Sequence, residues 1–150
     1  MKSTRARFAV VVSRFNEEIT SRMLASCLKA LRGRGVPDSR VRTVWVPGAF
    51  ELPWAARELA ASGRYDAVVC LGCVLKGRTP QNDYIAAATC ASIQRVSLDT
   101  KVPCVLGMIT PNTHGQALAR TRGRMDRGKE YGLAALEMAE LKIQLKGAAL

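Results

Sequence analysis

The hydrophobic period of this chain switches repeatedly between that of a strand and that of a helix, and the alternation leaves few folds open to it. Phe8-Ala-Val-Val-Val-Ser13 is a short run rich in β-branched residues, expected to form a buried strand. Residues 17–33 then place Ile19, Met23, Leu24, Cys27, Leu28 and Leu31 at helical spacing, and Gly33-Arg34-Gly35 stops that helix. Val41–Val46 reads as a second strand, broken by Pro47-Gly48 and followed by a helix to about Ser62. Residues 66–72 read as a third strand, and a long helix follows over 81–99. Residues 103–109 form the fourth strand. Thr113 is expected to cap a short helix to about Thr121. A final helix is expected over 129–146, with Leu133, Leu136, Ala139, Leu141 and Leu145 on or near its apolar face.

Strands that alternate with helices imply right-handed crossovers and a parallel sheet covered on both faces. The expected architecture is an α/β three-layer α/β/α sandwich, flavodoxin-like, with a four-stranded parallel sheet. Residues 1–150 are expected to form a single domain. Ligands of such sheets bind beyond the carboxyl ends of the strands. The site is therefore expected at residues 13–16, 47–51, 72–81 and 107–113.

Composition narrows the function classes. The hydrophobic fraction of 48% can supply a core, and no apolar run approaches the roughly 20 residues of a membrane span. The basic N-terminus is followed only by a short apolar stretch, so no secretory signal is expected and the cytoplasm is the default location. Of the five cysteines, Cys70 and Cys73 have CxxC spacing. A zinc site needs more ligands than one histidine, His114, and no second CxxC can give. Buried, reduced thiols are expected, with no metal. The net charge is +11, from 23 basic and 12 acidic residues. Such a balance attracts phosphate groups. No basic segment is interleaved with aromatics, so nucleic acid or other anionic cargo is only a secondary expectation.

The four loops carry the candidate chemistry. In Ser13-Arg14-Phe15-Asn16, Phe15 either stacks on a flat heterocycle or caps the core. In Pro47-Gly48-Ala49-Phe50-Glu51, the turn brings backbone close to a ligand. Glu51, expected in the first turn of the next helix, either accepts hydrogen bonds from a ligand or serves the helix dipole. In the third loop, Gly77 gives freedom, Thr79 is expected to N-cap and Pro80 to open the helix. A helix N-terminus beside Lys76 and Arg78 suits an anion. No Walker pattern occurs, which favours a small phosphorylated molecule. In the fourth segment, Arg120 alone is a weak signal.

Taken together, Ser13-Arg-Phe-Asn16, Val46-Pro-Gly-Ala-Phe-Glu-Leu-Pro53, Leu71-Gly-Cys-Val-Leu-Lys-Gly-Arg-Thr-Pro80, Asp83-Tyr-Ile85, Gly107-Met-Ile-Thr110, Gln116-Ala117 with Arg120, and Gly128 with Ala134-Ala-Leu-Glu-Met-Ala139 resemble the lumazine synthase family. The resemblance covers almost the whole chain. It implies a transferase of riboflavin biosynthesis that condenses 5-amino-6-(D-ribitylamino)uracil with 3,4-dihydroxy-2-butanone 4-phosphate to 6,7-dimethyl-8-ribityllumazine, releasing inorganic phosphate. It implies no cofactor. By position, Phe15 would stack on the pyrimidine, with Asn16 beside it. Ala49, Phe50, Glu51, Cys73, Val74 and Leu75 would hold the ring and the ribityl chain. Arg78, Thr79 and Arg120 would bind the phosphate. Leu106 stands where the family usually has an aromatic that closes the pocket from a neighbouring subunit. A homo-oligomer is implied, built from pentamers. The short turn at 121–129 permits a shell, and the sequence leaves pentamer, decamer and 60-subunit shell open.

After Thr79-Pro80 the family pattern has a histidine, then usually an aromatic, then an acidic residue, where this chain reads Gln81-Asn82-Asp83. Gln81 occupies the place of the family's histidine, and glutamine hydrogen-bonds but does not titrate. An active enzyme that relies on orientation and on solvent or phosphate for proton transfer is the first expectation. A catalytically weak paralogue and a shell subunit are the alternatives.

Overall fold

The computed structural model describes residues 5–77 and 79–147. Its four strands are β1 (Phe8–Ser13), β2 (Val41–Val46), β3 (Ala67–Cys73) and β4 (Cys104–Ile109). All pair in parallel, in the order β2-β1-β3-β4. The helices are α1 (Glu17–Gly33), α2 (Leu52–Ala61), α3 (Gln81–Thr100), α4 (His114–Ala119) and α5 (Arg127–Gly147). The expected three-layer flavodoxin-like sandwich is the observed one.

The strands are apolar on both faces because both faces are covered. Phe8, Val10, Val12, Val69 and Leu71 point toward Ile19, Met23, Cys27 and Leu31 of α1 and Ala135, Leu136 and Ala139 of α5. Ala9, Val11, Val68 and Cys70 point toward Leu52, Ala56 and Leu59 of α2 and Ile93 and Val96 of α3. Each fully buried aliphatic side chain contributes roughly 1.5–3 kcal/mol to folding. α1 and α5 lie close enough that a Cβ on Gly132 would stand 2.8 Å from the Cys27 carbonyl oxygen.

Several boundaries differ from expectation. β3 runs one residue later than expected, to Cys73, which pairs with Ile109 of β4, while the Asp66 carboxylate just before the strand is used outside the sheet. It accepts the Arg7 backbone N–H at 2.9 Å and pairs with Lys142 at 3.1 Å. Glu51 lies in a 3₁₀ turn, Ala49–Glu51, rather than in the first turn of α2. Thr79 does not cap α3. Pro80 holds that position, its carbonyl accepting the Asp83 and Tyr84 N–H groups, with no side-chain cap. The Thr113 cap is observed, its hydroxyl accepting the Gln116 N–H at 3.1 Å. Leu141 and Leu145 are 39% and 49% exposed, because α5 docks through Gly128, Gly132, Ala135 and Ala139. Among the described residues no helix is long and apolar enough to cross a membrane.

The sheet order places the topological switch between β1 and β3. β1 connects through α1 to β2 on one side, and β2 returns through α2 to β3 on the other. The carboxyl ends of β1 and β3 therefore open on a crevice, where ligands of doubly wound sheets bind.

Candidate functional site

At that crevice lies a cleft of about 550 Å³, lined by three of the four expected loops. Phe15 and Asn16 enter from β1. Gly48, Ala49, Phe50 and Glu51 enter from the turn after β2. Cys73 ends β3 and Val74 to Gly77 follow it, and Asn82 and Ile85 come from the start of α3. Size does not single it out, since a groove of about 640 Å³ lies between the ends of α3 and α5. What distinguishes the cleft is the convergence of aromatic, acidic and backbone groups at strand ends.

The first loop is held in place by backbone bonds. The Arg14 N–H reaches the Val46 carbonyl at 2.8 Å and the Phe15 N–H the Pro47 carbonyl at 3.0 Å. Asn16 takes the left-handed conformation, φ 62°, which asparagine tolerates better than most residues. Phe15 is consequently 72% exposed and does not cap the core. Phe50, 62% exposed, presents a second ring at the same cleft. Glu51 turns its carboxylate back over the Pro-Gly turn, where a Cβ on Gly48 would stand 3.3 Å from Oε1. Glycine at 48 thus makes room for that carboxylate.

Cys73 lines the cleft but offers little thiol chemistry. Burial pushes its thiol up to about 11, against the lowering influence of Arg120. It stays protonated near neutral pH, so its backbone is the functional part. Val74 and Leu75 are half-buried, while Lys76 and Gly77 are exposed. A smaller polar recess of about 180 Å³ adjoins the cleft through Val74, Lys76 and Asn82. It is completed by Asp83, Ala86, Thr110 and Asn112, so the fourth loop borders the recess rather than the cleft.

Some expected site residues lie elsewhere. Arg78 falls outside the described residues. Thr79 and Gln81 are exposed at the start of α3 and do not line the cleft. Leu106, 41% exposed, belongs to edge strand β4 and does not reach it either. Arg120 ends α4 near Cys73 and Tyr131, with its Nη1 buried and without a hydrogen-bond partner. His114 pairs with Glu18 at 3.2 Å, away from the cleft. No group of three or more His, Cys, Asp or Glu side chains among the described residues is arranged to hold a metal ion.

The sequence profile of 6,7-dimethyl-8-ribityllumazine synthase matches residues 5–143. This chain belongs to the lumazine synthase family. It is 46% identical over 144 residues to the 6,7-dimethyl-8-ribityllumazine synthase of Microcystis aeruginosa, an alignment covering 93% of this chain and 80% of that one. It is 45% identical over 146 residues to the protein of the same name from Thermosynechococcus vestitus, covering 95% and 82%. The corresponding protein of Protochlamydia amoebophila is 41% identical over 143 residues, covering 95% and 83%. In this lumazine synthase-family chain the motif segments around Phe15, Ala49–Glu51 and Cys73 are those that meet at the cleft. The cleft lining includes Gly48 and Lys76, which the sequence had placed near a ligand, and also Asn82 and Ile85, which it had not. Asn82 and Ile85 are three apart on one face of α3, a spacing that could have placed them together.

Proposed function

We propose that this chain is a transferase condensing 5-amino-6-(D-ribitylamino)uracil with 3,4-dihydroxy-2-butanone 4-phosphate. The products are 6,7-dimethyl-8-ribityllumazine, inorganic phosphate and water, as a step of riboflavin biosynthesis. The observation that carries this reading is the convergence of the exposed rings of Phe15 and Phe50 with the Glu51 carboxylate on one cleft, in a chain matched to the family over residues 5–143.

The pyrimidine stacks on Phe15, since an exposed ring at a strand end offers a flat apolar face. Glu51 accepts hydrogen bonds from ring N–H or ribityl hydroxyl groups, with Ala49, Phe50, Val74 and Leu75 packed along the substrate. Asn16 and Cys73 shape the floor. Phosphate sits at the N-terminus of α3, which no side chain caps and which Arg78 and Thr79 precede in sequence, where helix N–H groups favour an anion. Arg120 supplies the second positive charge. The substrate amine attacks the ketone and water leaves to form the imine. Phosphate is then eliminated, and ring closure releases water again. Gln81, exposed at the start of α3 outside the cleft lining, hydrogen-bonds but does not titrate. Protons move through solvent and phosphate, and the rate rests chiefly on holding the two reactants together.

The minimum assembly is a homopentamer. Its support is the apolar exposure of the α2–α3 layer, where Trp54 is 73%, Tyr84 72% and Leu98 66% exposed, and of Leu106 on edge strand β4. Leu106 would close a neighbour's pocket.

The test is product stoichiometry. Lumazine and inorganic phosphate should appear in equal amounts, at a rate that Phe15→Ala lowers. Phosphate release without lumazine, or a rate unaffected by Phe15→Ala, would overturn the reading.

A further inference from the structure

The wall between the cleft and the adjoining polar recess is built around one side-chain contact. Asn82, in the first turn of α3, donates from Nδ2 to the backbone carbonyl of Leu75. Leu75 lines the cleft, and Asn82 lines both cavities. The segment after β3 is also fastened from the other side, by the Val74 N–H to the Ile109 carbonyl at 2.9 Å and the Lys76 N–H to the Pro111 carbonyl at 3.1 Å. Both of those bonds tie it to the end of β4. The Asn82 bond ties it to α3, so it sets how far the Val74–Leu75 wall stands from the helix.

Gly77 completes the arrangement. A Cβ there would stand 2.7 Å from Asn82 Nδ2. The Gly77 φ is not in the left-handed region, so what an alanine at 77 meets first is the Asn82 side chain. It would displace the Asn82 amide, which is already committed to the Leu75 carbonyl. Glycine at 77 is therefore the steric condition for the Asn82 bond.

We infer that Asn82 and Gly77 form a latch in which Asn82 is a positioning residue, fixing the Val74–Leu75 wall against which the ribitylaminopyrimidine packs. The inference deepens the condensation proposed above, and its kinetic arm rests on that reading. In this assignment Asn82 contacts the wall rather than the reacting atoms. It acts through the backbone of Leu75, so losing it loosens substrate binding rather than removing a chemical step.

The test uses Asn82→Ala, Asn82→Asp, Gly77→Ala and the double variant Gly77→Ala/Asn82→Ala in the full chain. Asn82→Asp keeps the shape but replaces the donor with an acceptor that faces a carbonyl. Each single variant should raise the KM for the ribitylaminopyrimidine by roughly three- to tenfold, the worth of one net hydrogen bond, with kcat changed by less than about twofold. Simple loss of folded protein would instead lower kcat and leave KM unchanged. The double variant should be no worse than either single, because both break the same bond. Amide hydrogen exchange across residues 74–77 is the second arm. It should quicken equally in the singles and the double, whether or not the protein turns over. Additive effects in the double variant, or unchanged KM and exchange in Asn82→Asp, would overturn the latch. A wild-type chain without turnover would overturn the proposed reaction instead, and the exchange data would still decide the latch.

Discussion

The side-chain amide of Asn16 donates a 2.8 Å hydrogen bond to the backbone carbonyl of Cys73, joining the end of β1 to the end of β3 across the mouth of the cleft. The two residues are 57 apart in sequence. The bond needs Asn16 in the left-handed region, where its carbonyl also accepts the Ile19 and Thr20 N–H groups that start α1. One asparagine thus sets the first loop, the start of α1 and the position of Phe15.

Asn16→Ala should therefore lose both the bond and a tolerated left-handed residue. The expected loss is about 2–3 kcal/mol, summing roughly 1 for the hydrogen bond and about 1–2 for the backbone. Asn16→Gly should lose chiefly the hydrogen bond. Urea denaturation of the two variants separates the contributions, and equal losses would remove the backbone argument.

The α1–α5 contact depends on small residues. A Cβ on Gly128 would collide with the Met23 backbone carbonyl, and rigid backbone cannot swing aside as a side-chain end can. Gly128→Ala should destabilise by roughly 1–3 kcal/mol or more, as overpacking does. The same substitution at Gly33, where nothing lies within 4 Å of the added carbon, should change stability far less. Thermal melts of both variants check the contrast.

These glycines also mark where the sequence was hardest to read. β1 and β2 were legible because β-branched runs between turn residues suit little else, and Thr113 because a hydroxyl three residues before an N–H has an obvious use. α5 was legible as a helix, but its docking face only in part. Leu136 and Ala139 are buried as expected, but Leu141 and Leu145 are not, and Gly128, Gly132 and Ala135 make much of the contact. At the glycines close backbone approach leaves no large side chain to mark it. Glu51 and Thr79 were placed in the right loops, but a 3₁₀ turn at Ala49–Glu51 and the carbonyl cap of Pro80 changed their local roles. Asn82 escaped because its partner is a backbone carbonyl, which leaves no trace in residue type.

Buried thiols give the fold an alkaline limit. The Cys27 thiol is pushed up to about 12 by burial, and Cys73 to about 11. Both would lose their protons near pH 8.5 in the unfolded chain. The folded chain then binds more protons than the unfolded one above that pH, so stability falls as pH rises. The contribution is intact below about pH 8.5 and is lost between there and pH 11–12, at up to roughly 1.4 kcal/mol per pH unit for each thiol. Urea midpoints should drop between pH 8 and 10 more steeply in the wild type than in Cys27→Ala. Equal slopes would show that Cys27 does not couple to folding.

Arg120 keeps one guanidinium nitrogen buried and unpartnered beside Cys73. If it holds phosphate, Arg120→Ala should raise the butanone-phosphate KM, or lower kcat/KM, by roughly tenfold or more, as loss of a charge-assisted hydrogen bond does. Pyrimidine binding should change little. Arg120→Lys should recover only part of the loss, since a lysine lacks the planar fork. Unchanged kinetics in Arg120→Ala would remove Arg120 from the phosphate site.

This cleft is expected to accelerate the condensation with glutamine at position 81. The most direct test is the initial rate of 6,7-dimethyl-8-ribityllumazine formation from the two substrates at neutral pH, followed by absorbance beside an enzyme-free control. A rate proportional to protein concentration and clearly above the control is predicted. A rate equal to the control, from folded protein, would contradict the account.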